Sequence, residues 1–274
     1  MTTEVSNVLV TCTVKRGNVG KSTALSLLAG WLEQHETPWQ GFDLDPDHQS
    51  FVRLFPEAVR SIPLGEEPEG DVIKVLRSTL SSPVTLVDPR AHLSGTILRA
   101  WEMIRFPATF GESGGRITAL VFPADDLEIM ADLDATVTRL GSQVCYLVVR
   151  NPARSPRTHM FDGSELEAEL MRLGAGFIEI PPLLSLARNH LAAKEAELGR
   201  GITHAEAAAN RELGLDPMVR VLIGDWLRTV FQRFDDVAAH LLPSAFVDKI
   251  KQAAPRPPMD ATVRRGAKLN LKHL

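Results

Sequence analysis

The stretch Thr13–Thr23, TVKRGNVGKST, nearly matches a phosphate-binding loop and decides which fold we expect. The strict pattern is G-x-x-x-x-G-K-[ST]. Gly-Lys-Ser at 20–22 supplies its second half, but Lys15 stands where the first glycine belongs, and Arg16 follows it. The sequence leaves three possibilities: a broken site, a chance match, or a variant in which the extra cations have a role of their own.

The residues around this stretch have the strand–loop–helix order that a phosphate loop needs. NVLVTCT before it is apolar and β-branched, and STALSLLAGWLEQH after it has helical periodicity. Glycines let backbone N–H groups approach phosphate oxygens, and the helix N-terminus adds a favourable dipole. In such a loop Lys21 reaches the β- and γ-phosphates and the Ser22 hydroxyl binds Mg²⁺. The alternative is a glycine-containing turn before a surface helix.

The rest of the chain alternates short apolar runs with helical patterns. Most runs are apolar at successive positions, which is typical of strands buried on both faces of a parallel sheet. The pattern predicts a doubly wound α/β domain, with a mostly parallel sheet and helices on both faces. The expected strands are Asn7–Thr13, Trp39–Asp45, Val84–Asp88, Arg116–Ala124, Val144–Asn151 and Gly176–Pro181.

Helix signals and composition set the expected domain boundary. Ser164 with Glu167 forms a capping-box start, and Gly174 marks the stop of that helix. The last long helix is expected over 217–242, and the Pro-rich, basic composition after it predicts a flexible tail over 243–274. We therefore expect one domain over residues 1–242.

Composition limits the class of protein. The chain has 274 residues, 44% of them hydrophobic, which suffices for one sizeable core. A net charge of -4 means that any nucleic-acid contact needs a local basic face. Cys12 and Cys145 lie in apolar runs and are expected to be reduced core thiols. No run approaches the ~20 apolar residues of a membrane span, and we expect a cytoplasmic protein.

Aspartates end two of the expected strands. Asp43 and Asp45 follow one, and Asp88 follows another. The carboxyl ends of parallel strands meet at the edge where ligands bind, and carboxylates there can hold Mg²⁺ through water or orient an attacking water. The alternative for each is Asp-Pro turn chemistry. We predict a metal site of Ser22, Asp43 and Asp88, with Asp45 orienting the water.

These motifs, in this order, resemble the ParA/MinD family of P-loop ATPases over about 7–201. The family's deviant loop, K-G-G-x-G-K-[ST], aligns with 16–22, and its D-x-D-P-Q motif matches DLDPD at 43–47. Its Walker B strand corresponds to LVDPR, its asparagine near the adenine to Asn151, and its later Ile-Pro segment ends at Pro181. The resemblance implies a P-loop NTPase fold of the SIMIBI type.

The resemblance also implies ATP and Mg²⁺ as cofactors and a weak ATPase that a partner or DNA stimulates. In the family a signature lysine crosses a dimer interface to the other subunit's phosphates. Arg16 occupies that position here, with Lys15 beside it, so the resemblance implies a homodimer on ATP and a catalytic set of Lys21, Asp45 and Arg16. The alternative is that both loop cations point to solvent. The implied nucleotide contacts are Lys15, Arg16, Gly17, Asn18, Val19, Gly20, Lys21, Ser22, Thr23, Asn151 and Pro181.

Departures from the family pattern shape the expected function. Asn18 replaces the second loop glycine, as in plasmid-stability relatives of the StbB kind, and the family's Thr and Pro-Pro are absent after Asp88. The implied role is positioning or segregating a plasmid, a transfer complex or another cargo, together with an adaptor protein. The alternatives are a nucleotide-gated accessory protein with little hydrolysis, or a metabolic P-loop ligase or kinase. Candidates for nonspecific DNA contact are Arg220, Arg228 and Arg233, and in the tail Lys249, Lys251, Arg256, Arg264, Arg265, Lys268 and Lys272.

Overall fold

Strand β1 (Asn7–Cys12) is apolar and buried along most of its length, and it occupies the middle of the sheet. The computed structural model describes residues 4–13 and 15–252. In these residues seven strands pair in parallel in the order β3-β2-β4-β1-β5-β6-β7, which confirms the predicted fold class. The other strands are β2 (Trp39–Asp43), β3 (Val59–Ser61), β4 (Val84–Asp88), β5 (Gly115–Val121), β6 (Cys145–Arg150) and β7 (Gly176–Glu179).

Helices connect the strands, because parallel neighbours can be joined only by crossover connections. Short 3₁₀ turns accompany them at Ser78–Ser81, Gly141–Gln143 and Arg211–Leu213. The α-helices of the described chain are α1 (Lys21–Gln34), α2 (Ser50–Leu54), α3 (Pro68–Arg77), α4 (Ser94–Met103), α5 (Phe106–Glu112), α6 (Leu127–Leu140), α7 (Glu165–Arg172), α8 (Ser185–Leu198), α9 (His204–Ala209), α10 (Pro217–Asp236), α11 (Ala238–Leu241) and α12 (Ser244–Gln252).

Successive side chains of β1 enter two different cores, because the side chains of a strand alternate between its faces. Val8 and Val10 pack in a core formed mainly with α1, α2 and α8 to α12. Leu9 packs in a second core formed with α3 to α7. The sheet is therefore covered by helices on both faces, as the apolar strands predict.

All of the predicted strands form, but three of them end two or three residues earlier than expected. β2 ends at Asp43 instead of Asp45, β5 ends at Val121 instead of Ala124, and β7 ends at Glu179 instead of Pro181. A proline follows each end within three residues, and proline has no N–H with which to continue the ladder. The sequence does not predict β3, because three residues give too short a pattern.

The helix ends follow the sequence signals in one case and differ in another. The Ser164 hydroxyl accepts the N–H of Glu167 at 3.2 Å, and Gly174 has φ 75° after α7, so both predicted signals are confirmed. The last long helix is shorter than the predicted 217–242. α10 ends at Asp236, and α11 begins after Val237, whose φ of -115° breaks the helix.

The boundary predicted at Pro243 falls inside packed structure. α12 begins directly after it, and its Val247 is 7% exposed in the first core. Ser244 is bonded to the beginning of the described chain: its N–H donates to the carbonyl of Val5 at 3.0 Å, and its hydroxyl accepts the N–H of Val5 at 3.2 Å. The remainder of the predicted tail, 253–274, lies outside the described residues.

The cysteines and the helix lengths bear on two further expectations. Cys12 is buried and Cys145 half-buried, and both thiols are free, in agreement with the prediction. Burial raises the pKa of the Cys12 thiol well above its usual value, so this thiol is unreactive. In the part of the chain that the structure describes, no helix combines the length and apolar character needed to cross a bilayer.

The packing of α12 predicts that Val247→Asp lowers the free energy of unfolding by roughly 2 kcal/mol or more, because it buries a charge without a partner. Ala245→Asp is the matched control, since Ala245 is exposed on the same helix. Urea unfolding followed by circular dichroism measures both. Equal midpoints for the two variants would show that α12 does not contribute to the core.

Candidate functional site

The carboxyl ends of the central strands border a cavity of about 600 Å³. Its wall includes the loop after β1, Asp45 after β2 and Asp88 at the end of β4. Leu191 of α8 and Ile202, which precedes α9, also line the cavity. In an open parallel sheet this edge is where ligands bind.

The phosphate loop takes a left-handed backbone conformation at two positions. Gly20, the N-cap of α1, has φ 100°, and a Cβ there would lie 2.1 Å from Nδ2 of Asn151. That Nδ2 donates to the carbonyl of Val19 at 3.3 Å. Asn18 has φ 63°, a conformation that asparagine tolerates better than most side chains, which explains how it can stand where the family has glycine.

Lys21 is the first residue of α1 and is only 7% exposed. Its Nζ donates to the carbonyl of Arg16 at 3.1 Å. Burial lowers the pKa of this amine, while the nearby Cys12, Asp88 and Asp45 oppose the shift. Because a helix N-terminus favours anions, this buried cation and the helix dipole together favour a bound anion.

Asp88 is 3% exposed at the cavity wall. Burial raises its pKa to about 7, against a hydrogen bond from Ser22 that lowers it. Its Oδ1 is buried and has no hydrogen-bond partner among the described residues. A buried carboxylate oxygen without a donor is costly, and a bound cation would remove that cost.

The two aspartates that follow β2 differ in their surroundings. Asp43 is fully buried; its Oδ1 accepts the N–H of Asp45 at 3.0 Å, and its Oδ2 accepts those of Phe51 and Val52 at 3.0 and 3.1 Å. These bonds hold the start of α2, which disfavours the Mg²⁺ role predicted for Asp43. Asp45 lines the cavity, and its Oδ2 lies 3.3 Å from Nδ1 of His48.

The two extra cations of the loop are paired with α6 and its N-cap. Lys15 contacts Asp132 twice: Nζ lies 2.6 Å from Oδ1, and the backbone N–H donates to Oδ2 at 2.9 Å. Arg16 lies 2.8 Å from Glu128 and 3.6 Å from Asp126. Neither cation simply points to solvent, and each would have to leave a carboxylate before it could contact a phosphate.

The structure brings together some of the predicted nucleotide contacts and separates others. Val19 is buried in the first core, Asn151 holds the loop, and the carbonyl of Pro181 accepts the Trp226 indole N–H at 2.7 Å. The predicted residues in the cavity wall are Gly17, Asn18, Gly20, Lys21, Ser22, Thr23, Asp45 and Asp88. Of the described residues that were predicted, those outside the wall are Lys15, Arg16, Val19, Asp43, Asn151 and Pro181.

Six polar residues of the wall are not predicted from the sequence. They are Ser26 of α1, His48, Ser50 at the start of α2, Arg154 in the loop after β6, Glu195 of α8 and His204 at the start of α9. Arg154 could have been found from its position three residues after Asn151 at a strand end. Glu195 and His204 lie in ordinary helical patterns that give no such signal.

The basic surface residues singled out in the sequence are partly occupied within the chain. Arg228 pairs with Asp225 one turn away, and Arg220 donates to backbone carbonyls at the end of α9. The contribution of α10 to DNA binding remains a prediction.

Comparison with known proteins gives structural neighbours only. No family model matches the chain, and no curated protein matches it. It resembles the signal recognition particle receptor FtsY of Elizabethkingia anophelis at 11% identity and a TM-score of 0.45, covering 63% of this chain and 57% of that one. It resembles MinD in the MinC:MinD cell division complex of Aquifex aeolicus at 15% identity and a TM-score of 0.44, covering 82% and 96%.

A third solved structure is a plasmid partition protein of Borrelia burgdorferi, at 14% identity and a TM-score of 0.41, covering 64% of this chain and 89% of that one. A MinD and a plasmid partition protein are therefore among the solved structures that the chain resembles. The all-parallel sheet and the loop between β1 and α1 define the class of protein as a P-loop NTPase fold. The chain spans little more than half of the FtsY structure that it resembles.

The burial of His204 predicts a loss of stability in mild acid. Burial lowers the pKa of this imidazole, which packs against the ring of Trp226, to about 4. The unfolded chain takes up the proton near pH 6.5, so the stabilisation is complete above that pH and is lost as the pH falls towards 4. Between pH 7 and pH 5 the wild type should lose about 2 kcal/mol more unfolding free energy than His204→Gln.

The control for this prediction is His159→Gln, which changes an exposed histidine. It should follow the wild-type pH dependence in urea unfolding at the two pH values. If His204→Gln loses as much unfolding free energy between pH 7 and pH 5 as the wild type, the His204 imidazole is not kept neutral in the folded state.

Proposed function

We propose that the protein binds ATP and Mg²⁺ in this cavity, hydrolyses ATP slowly, and dimerises on ATP in the cytoplasm to position or segregate a cargo. The observation that carries the proposal is the meeting of Lys21, Ser22 and the unpartnered oxygen of Asp88 in one cavity. An ammonium, a hydroxyl and a carboxylate at a helix N-terminus are the groups that bind a phosphate with its Mg²⁺. Plasmid DNA, a transfer complex or a protein assembly would be the cargo.

The residues of the cavity wall can supply part of the ligand set that Mg²⁺ requires. The described residues contain no group of three or more His, Cys, Asp or Glu that could hold a metal. Mg²⁺ usually takes one or two protein ligands and completes its shell with water and phosphate. Ser22 would provide the hydroxyl, and Oδ1 of Asp88 would accept a hydrogen bond from a ligand water. The bound ion would neutralise charge on the phosphates.

Asp45 is the residue that we propose to orient the attacking water. It lines the cavity, and its Oδ1 accepts two backbone N–H groups, from Asp47 and His48, which fix the carboxylate. Its Oδ2 remains close only to the His48 ring among the described side chains. A fixed carboxylate can position water for in-line attack on a terminal phosphate.

Dimerisation would require the loop cations to exchange partners. The side chains of Lys15 and Arg16 are about half exposed, and exposed ion pairs of this kind stabilise a protein by only about 0–1 kcal/mol. A charge-assisted contact with a phosphate contributes about 1.5–3 kcal/mol. The exchange from α6 to the partner's phosphates is therefore favourable once two ATP-bound chains meet.

The second candidate function is a nucleotide-gated accessory protein with little hydrolysis. The ion pairs of Lys15 and Arg16 with the α6 region favour it, because they keep both cations outside the cavity wall. Turnover assays on the wild type with DNA or a partner separate the two functions. Turnover no faster than background would identify the protein as a gated binder. A metabolic ligase or kinase is a weaker candidate.

The first prediction for this function concerns nucleotide affinity. Lys21→Ala should abolish measurable binding of a non-hydrolysable ATP analogue with Mg²⁺, because it removes the contact with the β- and γ-phosphates. Lys74→Ala is the control, since Lys74 is an exposed lysine on α3. Isothermal titration calorimetry measures both. Wild-type affinity in Lys21→Ala would exclude this phosphate loop as the binding site.

The second prediction concerns the dimer. Arg16→Ala should weaken ATP-dependent dimerisation at least roughly tenfold without abolishing ATP binding. Asp132→Asn should strengthen dimerisation, because it releases Lys15 from its ion pair. Light scattering with the ATP analogue and Mg²⁺ measures both effects. Unchanged dimerisation in both variants, and in Lys15→Ala, would show that neither cation crosses between subunits.

A further inference from the structure

The cavity wall carries an exposed cation, Arg154, in addition to the buried Lys21. Among the described residues of its wall, the Lys and Arg side chains are Lys21 and Arg154. A nucleoside triphosphate brings several negative charges into this space, and the loop cations Lys15 and Arg16 are paired with carboxylates outside it. The monomer therefore has to meet those charges with the residues of its own wall.

The loop that carries Arg154 is fixed to the phosphate loop. The N–H groups of Arg154 and Ser155 both donate to the carbonyl of Asn151 at 2.9 Å, and the Asn151 side chain bonds the carbonyl of Val19. The Arg154 side chain lies beside the phosphate loop, because its Cγ is 3.8 Å from the point where a Cβ on Gly20 would be. Its stem is therefore next to the N-cap of α1.

The guanidinium of Arg154 is exposed and has no hydrogen bond or ion pair among the residues that the structure describes. Arg150, four residues earlier, contrasts with it, because its guanidinium contacts Asp162 at 2.7 Å and Glu167 at 3.1 Å. A guanidinium that is already paired gains little from a new anion. An unpaired one beside a phosphate loop can bind phosphate oxygens with its two-pronged fork.

We propose that Arg154 is a phosphate ligand of the same chain, which lies over Gly20 and contacts the phosphates of the bound nucleotide. The inference rests on the proposed nucleotide function. It means that one chain supplies two phosphate cations without help from a second subunit. The monomer then binds nucleotide with Lys21 and Arg154, and in a separate step Arg16 reaches across the dimer interface to the phosphates of the other chain.

The test uses two probes with Mg²⁺: a non-hydrolysable ATP analogue and inorganic tripolyphosphate, which has no base. Arg154→Ala should weaken the binding of both probes by the same factor, roughly tenfold. Arg154→Lys keeps the charge but loses the fork, and it should lie between the alanine variant and the wild type. Arg157→Ala is the matched control, since Arg157 is exposed in the same loop and lies outside the cavity wall; it should bind like the wild type.

Two outcomes would overturn the inference while the proposed function stands. Both require that the wild type binds the ATP analogue and that Lys21→Ala does not. Arg154→Ala binding both probes like the wild type would show that the guanidinium makes no contact. A loss confined to the ATP analogue, with tripolyphosphate unaffected, would assign Arg154 to the base. If the wild type binds neither probe, the proposed function is itself wrong.

Discussion

The close approach of Asn151 to the phosphate loop is the constraint on which the rest of the site depends. Its amide donates to the carbonyl of Val19, and only a residue without a side chain fits at Gly20, where a Cβ would lie 2.1 Å away. The contact holds the end of β6 against the start of α1. It thereby places Lys21 at the helix N-terminus and brings the loop of Arg154 to the same cavity. Asn151, which the resemblance places near the adenine, here bonds the backbone of the phosphate loop.

The charges of the site are arranged in two layers. In the cavity wall, Lys21 and Asp88 are buried, and burial shifts the pKa of each towards the value that favours its neutral form. Outside the wall, the exposed cations of the loop meet carboxylates such as Asp132. The inner layer is costly without a ligand, because buried charges need partners. The outer layer is weakly held. Bound nucleotide with Mg²⁺ would offset the cost of the buried inner charges. Its phosphates would also compete with the carboxylates for the exposed outer cations.

Much of the fold can be predicted from the sequence, and less of the site. Strands buried on both faces leave an unmistakable apolar pattern, and the capping residues of α7 mark its start directly. A three-residue edge strand such as Val59–Ser61 leaves no pattern. The positions of the carboxylates at the strand ends can be predicted. Only the tertiary structure shows that Oδ2 of Asp43 accepts the N–H groups at the start of α2. The position of Arg154 near a strand end can be read from the sequence, but its approach to Gly20 depends on how the loop folds, which local sequence does not encode.

The hydrogen bonds between Val5 and Ser244 join the two ends of the described chain at the amino-terminal edge of the sheet. The cavity opens at the carboxyl edge, and a six-residue strand such as β1 separates the edges by roughly 20 Å. Fluorophores attached at the exposed Ser6 or Ala245 would therefore sit at the opposite pole from the phosphates. Such labels could report the distance between two protomers without disturbing either nucleotide pocket.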